Sequence, residues 1–145
     1  MRNTTRTRKA INVSIEQLRE VAARLATECA LNLVVLFGSA RYPERHPEDL
    51  DLALQGDQPL DLVALTNRFI QELHVQAIDL ADLRRADPLL MALVARDGLV
   101  LFERAPGIFA TFASLAARRY NDTQKFRDAE RDHIRAFIRA TVGAP

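Results

Sequence analysis

Apolar positions along the chain switch between two periods. Ile15, Leu18, Val21, Ala22 and Leu25 recur at helical spacing behind Ser14, which has Gln17 three residues on, the pattern of a capping box. This predicts a helix from Ile15 to about Cys29. The next run, Leu31 to Phe37, is short, rich in Val and Leu and closed by Gly38, which predicts a buried strand. After a loop holding Pro43 and Pro47, the segment Asp49 to Leu54 opens with acid–apolar alternation, as a strand with one buried face does. Asp57-Gln58-Pro59 predicts the opening of a second helix, whose apolar face is Leu60, Leu62, Val63, Leu65, Phe69, Ile70 and Leu73. Val75 to Leu80 reads as a third strand. Asp87-Pro88 caps a third helix from Pro88 to about Arg96, ended by Asp97-Gly98, and Leu99 to Phe102 reads as a fourth strand.

From Ile108 to Val142 there is no proline or glycine, and the pattern is helical, with Asn121-Asp122 as the place for an interruption. Phe109, Phe112, Ala113, Ala116 and Tyr120 form one stripe; Phe126, Ile134, Phe137 and Ile138 form a second, sparser one. A helix of this length cannot fold back fully onto a small sheet. Its distal stripe either caps the molecule's own core or is offered to a partner chain. The expected fold is α+β, with a small mixed sheet of about four strands flanked by helices and a long C-terminal helical segment. Residues 13–104 are the expected core and residues 105–145 the helical extension. Residues 1–12, with Arg2, Arg6, Arg8 and Lys9, are an expected disordered basic tail.

Composition narrows the function classes. With 145 residues, 48% hydrophobic and 27% charged, the chain is long enough for one domain with a real core. Its net charge of +1 provides no general field for nucleic acid or an anionic membrane, so direct binding to either is not expected. A single cysteine, Cys29, rules out an intramolecular disulfide and suits a reducing cytoplasm. Polar residues from Ser14 to Glu20 interrupt any signal-peptide pattern, and no apolar run reaches bilayer length.

The candidate chemistry lies in two short segments. Gly38-Ser39 follows a strand, where glycine permits a sharp turn and free N–H groups with the Ser39 hydroxyl can meet a phosphate. After nine intervening residues Ser39 is followed by Asp49 and Asp51, separated by one residue and so on one face of a strand. Two carboxylates so placed resist joint ionisation unless a divalent cation sits between them. Asp79 lies inside an apolar strand, an unfavourable place unless its side chain emerges at a polar site. If its strand neighbours that of Asp49, the three acids meet the requirement of two-metal phosphoryl transfer. Asp82 is expected to point elsewhere and cap a turn.

Other readings of these acids fare worse. An EF-hand loop opening at Asp49 would have Leu54 and Leu60 where glycine and glutamate are required. No Walker-type glycine–lysine loop is present, and His46, His74 and His133 match no zinc spacing. Glycosyltransferases that use Asp-x-Asp are normally much larger.

Phe37-Gly38-Ser39, Asp49-Leu50-Asp51 and Asp79 together resemble the minimal nucleotidyltransferase (MNT) group of the DNA polymerase β superfamily. The segment Ile78 to Leu83, the Pro88-Leu89-Leu90 helix and Gly98 to Phe102 extend the resemblance over roughly residues 15 to 140. The spacer between Ser39 and Asp49 is one residue shorter than is usual in the family. The resemblance implies a polymerase-β-type fold and, at this length, an antitoxin paired with a HEPN-domain ribonuclease toxin. It implies transfer of AMP from ATP to a tyrosine hydroxyl of that toxin in a hetero-oligomer. Gly38 and Ser39 would hold the β and γ phosphates, and Arg41 would match a family arginine near the triphosphate. Asp49 and Asp51 would hold two magnesium ions, with Asp79 binding one ion and helping to deprotonate the tyrosine. Two alternatives stand beside this: a non-catalytic antitoxin that neutralises by binding, and a nucleotidyltransferase acting on a small-molecule hydroxyl.

Overall fold

The computed structural model describes residues 10–142. The basic stretch from Arg2 to Lys9 lies outside the described residues. The described chain starts anchored: the Ile11 N–H donates to the Pro47 carbonyl (2.8 Å), and Ile11 and Val13 pack against the core.

Helix α1 (Ile15–Glu28) begins where the capping box predicts. The Gln17 N–H donates to Ser14 Oγ (3.1 Å) and the Ser14 N–H donates to Gln17 Oε1 (2.9 Å), satisfying two donors that the first turn would otherwise leave open. Strand β1 (Leu31–Phe37) follows, then two short 3-10 turns at Gly38–Arg41 and Pro43–Arg45. Next come β2 (Leu50–Gly56), α2 (Leu62–Leu73), β3 (Ile78–Asp82), α3 (Pro88–Asp97), β4 (Leu99–Glu103) and α4 (Ile108–Val142). The sheet order is β3-β2-β1-β4, with β1 antiparallel to β2 and β4, and β2 parallel to β3. This is the mixed four-stranded α+β fold expected from the sequence.

The sheet is covered on both faces. On one, Val34, Leu36, Leu50, Leu52 and Leu54 pack with Leu18, Val21, Ala22 and Leu25 of α1 and Leu65, Phe69 and Leu73 of α2. On the other, Leu33, Val35 and Ala53 pack with Met91 and Val94 of α3 and Phe112 and Ala116 of α4. Being central and buried on both sides, β1 reads as an apolar run rather than an alternation.

Several boundaries differ from the sequence reading. Helix α2 is capped by Asp61, whose carboxylate accepts from the Ala64 N–H (3.1 Å), and not opened by Asp57-Gln58-Pro59. Asp57 is engaged elsewhere: it accepts from Asn32 Nδ2 (2.6 Å) and pairs with Arg104 (3.6 Å). Strand β3 starts at Ile78 rather than Val75. Val75 is a buried plug, and the Ala77 carbonyl makes the first link by accepting from the Leu50 N–H (2.9 Å). Gly98 ends α3 as expected, in ordinary extended backbone (φ −68). It is glycine for want of space, since an added Cβ would sit under 3.0 Å from both the Val94 carbonyl oxygen and Val35 Cγ1.

Helix α4 is continuous over 35 residues and is not interrupted at Asn121-Asp122. Both side chains are exposed, so each costs the helix only about half a kcal/mol in propensity. Past this point the Arg127 guanidinium stacks 4.0 Å over the Tyr120 ring and donates to Thr123 Oγ1 (2.7 Å), tying successive turns together. No described helix is long and apolar enough to cross a membrane.

Candidate active site

Antiparallel pairing sets Phe37 opposite Asp51, and parallel pairing sets Asp51 opposite Asp79. A single row, Phe37–Asp51–Asp79, therefore crosses three strands at the end of the sheet where β1 gives way to Gly38. Alternation along β2 puts Asp51 on the same face as Ala53, the face that α3 and α4 cover further along. Asp51 is half-buried and Asp79 exposed at that edge; Asp49, one residue before β2, is also half-buried. Asp82 closes β3 as expected: it is buried and its carboxylate accepts from the Arg84 N–H two residues on (3.0 Å).

Gly38 fits this row for two reasons. Its φ of +72 lies in the left-handed region, where a side chain costs about 1–2 kcal/mol. An added Cβ would also stand under 3.0 Å from Asp51 Oδ2 and 3.2 Å from its Cγ. The turn and the carboxylate are thus in contact across a space only glycine leaves open. Gly38 and Ser39 are both exposed, and Ser39 is held in the turn by its carbonyl, which accepts from the Tyr42 N–H (3.0 Å).

Electrostatics single out Asp51. Burial pushes its carboxyl above the usual carboxylate range, and the negative charges of Asp79 and Asp49 push it further the same way. Burial and neighbouring carboxylates thus act in the same direction on this one group. Among the described residues no group of three His, Cys, Asp or Glu is arranged so that it could hold a metal ion as it stands. The donor chemistry nevertheless fits: carboxylate oxygens are the ligands that magnesium prefers, and the raised Asp51 is the group such an ion would relieve.

Arg41 is engaged at the end of α3. Its guanidinium donates to the Asp97 carbonyl at the end of α3 and stands 5.6 Å from the centre of the Tyr42 ring. The Arg45 guanidinium lies over the same ring at 4.5 Å. Sequence reading did not single out Tyr42 or Arg45, since nothing in their spacing separates them from solvated loop residues. The structure shows two cations gathered on one ring just past the Gly38–Ser39 turn.

The sheet order and its flanking helices are those of the MNT nucleotidyltransferase fold. The chain matches no protein-family profile and no curated protein. Its likeness is to solved structures of toxin–antitoxin complexes. One, with AMP-PNP, is 26% identical with a TM-score of 0.71, covering 80% of this chain and 97% of that one. Another is a tri-AMPylated HEPN toxin from Shewanella oneidensis in complex with an MNT antitoxin, at 25% identity and TM-score 0.67, covering 83% and 98%. A MntA–HepT complex, at 24% and 0.66, agrees in fold. The resemblance to MNT antitoxins of the HEPN/MNT type therefore holds in three dimensions.

Proposed function

We propose that this chain is an antitoxin nucleotidyltransferase that transfers AMP from ATP to a tyrosine hydroxyl of a HEPN ribonuclease toxin. The observation carrying this reading is the Asp51–Asp79 row set against Gly38, in a fold shared with a chain from a nucleotide-bound toxin–antitoxin structure. Gly38 and Ser39 bring exposed backbone to the β and γ phosphates, and Gly38 adds no Cβ that would hold them off. Asp51 and Asp79, adjacent in register, and Asp49, two residues before Asp51, would hold two magnesium ions. Bound there, the ions would neutralise phosphate charge and lower the pKa of the attacking hydroxyl.

The tyrosine oxygen forms the new bond to the α phosphorus as the bond to the β-phosphate oxygen breaks, and pyrophosphate leaves. Asp79, exposed at the edge of the row, would bind one ion and help to deprotonate the tyrosine. Arg41 would serve the triphosphate on release from the Asp97 carbonyl. The partner is a separate HEPN protein in a hetero-oligomer, and the compartment is the cytoplasm.

The test is direct. The purified chain is mixed with ATP, magnesium and the product of the adjacent reading frame, and the partner is weighed by mass spectrometry. A gain of one or more AMP units on tyrosine, lost in Asp51→Asn, is expected. No gain with the wild-type chain sinks the reading.

A further inference from the structure

Among the described residues, the distal half of α4 contributes nothing to either core. Phe112 and Ala116 seat the helix, whereas Phe126, Ile134, Phe137 and Ile138 are 77%, 49%, 67% and 51% exposed. At 100° per residue these four fall on the same side of the helix as the seated pair. An apolar stripe that outruns its own core marks an interaction surface.

Its direction indicates what covers it. Strand β4 runs antiparallel to β1, which puts Glu103 beside Leu33, at the end of the sheet away from the carboxylate row. Helix α4 starts there, with the Phe109 N–H donating to the Glu103 carboxylate (3.0 Å). Helix α3 ends at the opposite edge, where the Asp97 carbonyl receives Arg41, and α4 runs along α3, with Phe112 and Ala116 packed against Met91 and Val94 and the Arg119 guanidinium 3.6 Å from Met91 Sδ. Helix α4 therefore leaves the domain at the edge bearing Gly38, Asp51 and Asp79. It continues about 33 Å past Tyr120 at 1.5 Å per residue. The solved neighbours are matched over 97–98% of their own length but span only 80–84% of this chain. That surplus exceeds the nine residues at the N-terminus, so part of it lies within the described chain.

We propose that the distal half of α4 is a docking arm for the protein acceptor, whose apolar groove takes Phe126, Ile134, Phe137 and Ile138 and is thereby held over the Asp51–Asp79 row. The inference rests on the acceptor reading above. A coiled-coil pairing with a second copy suits the stripe less well, because Arg127 and Glu130 occupy its positions between Phe126 and Ile134 and break an apolar seam. Helix-in-groove docking needs only spaced anchors.

The test uses the full chain and the protein of the adjacent reading frame. Phe137→Glu with Ile138→Glu should weaken the complex roughly 30-fold or more and slow AMP transfer, with circular dichroism and binding of a fluorescent ATP analogue unchanged. Asp132→Ala with Arg139→Ala, on the opposite side of the helix, should leave both affinity and transfer as they were. Wild-type affinity in the Phe137/Ile138 variant overturns the arm. So does a wild-type chain that dimerises alone through these residues while its variant still binds the partner normally. A complex that depends on Phe137 and Ile138 but adds no AMP upholds the arm and defeats the transferase reading instead.

Discussion

Replacing Gly38 with alanine separates two demands made on one position. The backbone there has φ +72, which costs a side chain about 1–2 kcal/mol. The new Cβ would also press on Asp51 Oδ2 at under 3.0 Å, driving that carboxylate off its rotamer for about another 0.5–1.5 kcal/mol. The sum is about 1.5–3.5 kcal/mol, a fall in Tm of roughly 5–12 °C for a domain of this size. Gly107→Ala is the internal control, because Gly107 has φ +95 and nothing within 4 Å of an added Cβ. It reports the conformational cost alone. The measurement is a double-mutant cycle by thermal or urea unfolding, with Gly38→Ala made in the wild-type and Asp51→Ala backgrounds. The penalty should shrink toward the backbone part once the carboxylate is gone, and AMP transfer by Gly38→Ala alone should fall at least about tenfold with displacement of Asp51. Equal penalties in both backgrounds would refute the contact.

Asp51→Asn tests the charge on the row. A carboxyl raised by burial and by Asp79 and Asp49 holds its proton more tightly in the folded than in the unfolded chain. It therefore favours the folded state at pH values below its ordinary range, and that contribution is lost as pH rises through the raised value. Asparagine, always neutral, should raise Tm at pH 7 in EDTA and change it little near pH 3; a lower Tm at pH 7 would contradict this. Gly98→Ala should cost about 1–3 kcal/mol by overpacking against Val35 and the Val94 carbonyl despite its ordinary φ, read from urea unfolding; a neutral result would mean the α3–β1 contact yields freely. Ser14→Ala should remove about 1 kcal/mol by opening the α1 capping box, and an unchanged urea midpoint would show the box to be idle.

Local chemistry made much of the fold legible. Ser14 and Gln17 placed the start of α1, Asp87-Pro88 that of α3, and the valine-rich run that of β1, because each carries its own stabilising partner or burial requirement. The misplaced start of α2 arose because Asp57 resembles a cap but is claimed by Asn32 and Arg104, residues distant in sequence. The sequence suggested that Asp49, Asp51 and Asp79 belong together. It did not show that a parallel β2–β3 register would set Asp51 opposite Asp79, or that antiparallel pairing would bring Gly38 against the Asp51 carboxylate. Pairing register is a property of the assembled sheet, and no local pattern announced it. Tyr42, with two guanidiniums near its ring, was silent for the same reason.

Strand β1 sends Val34 and Leu36 into one core and Leu33 and Val35 into the other before it ends at Gly38. The two helical layers are thus bolted to a single keel, and the turn at Gly38 is its exposed tip. Loosening either layer reaches that tip through the same short strand, so amide protons of β1 should exchange last. A nucleotide seated at Gly38 would brace both layers at once.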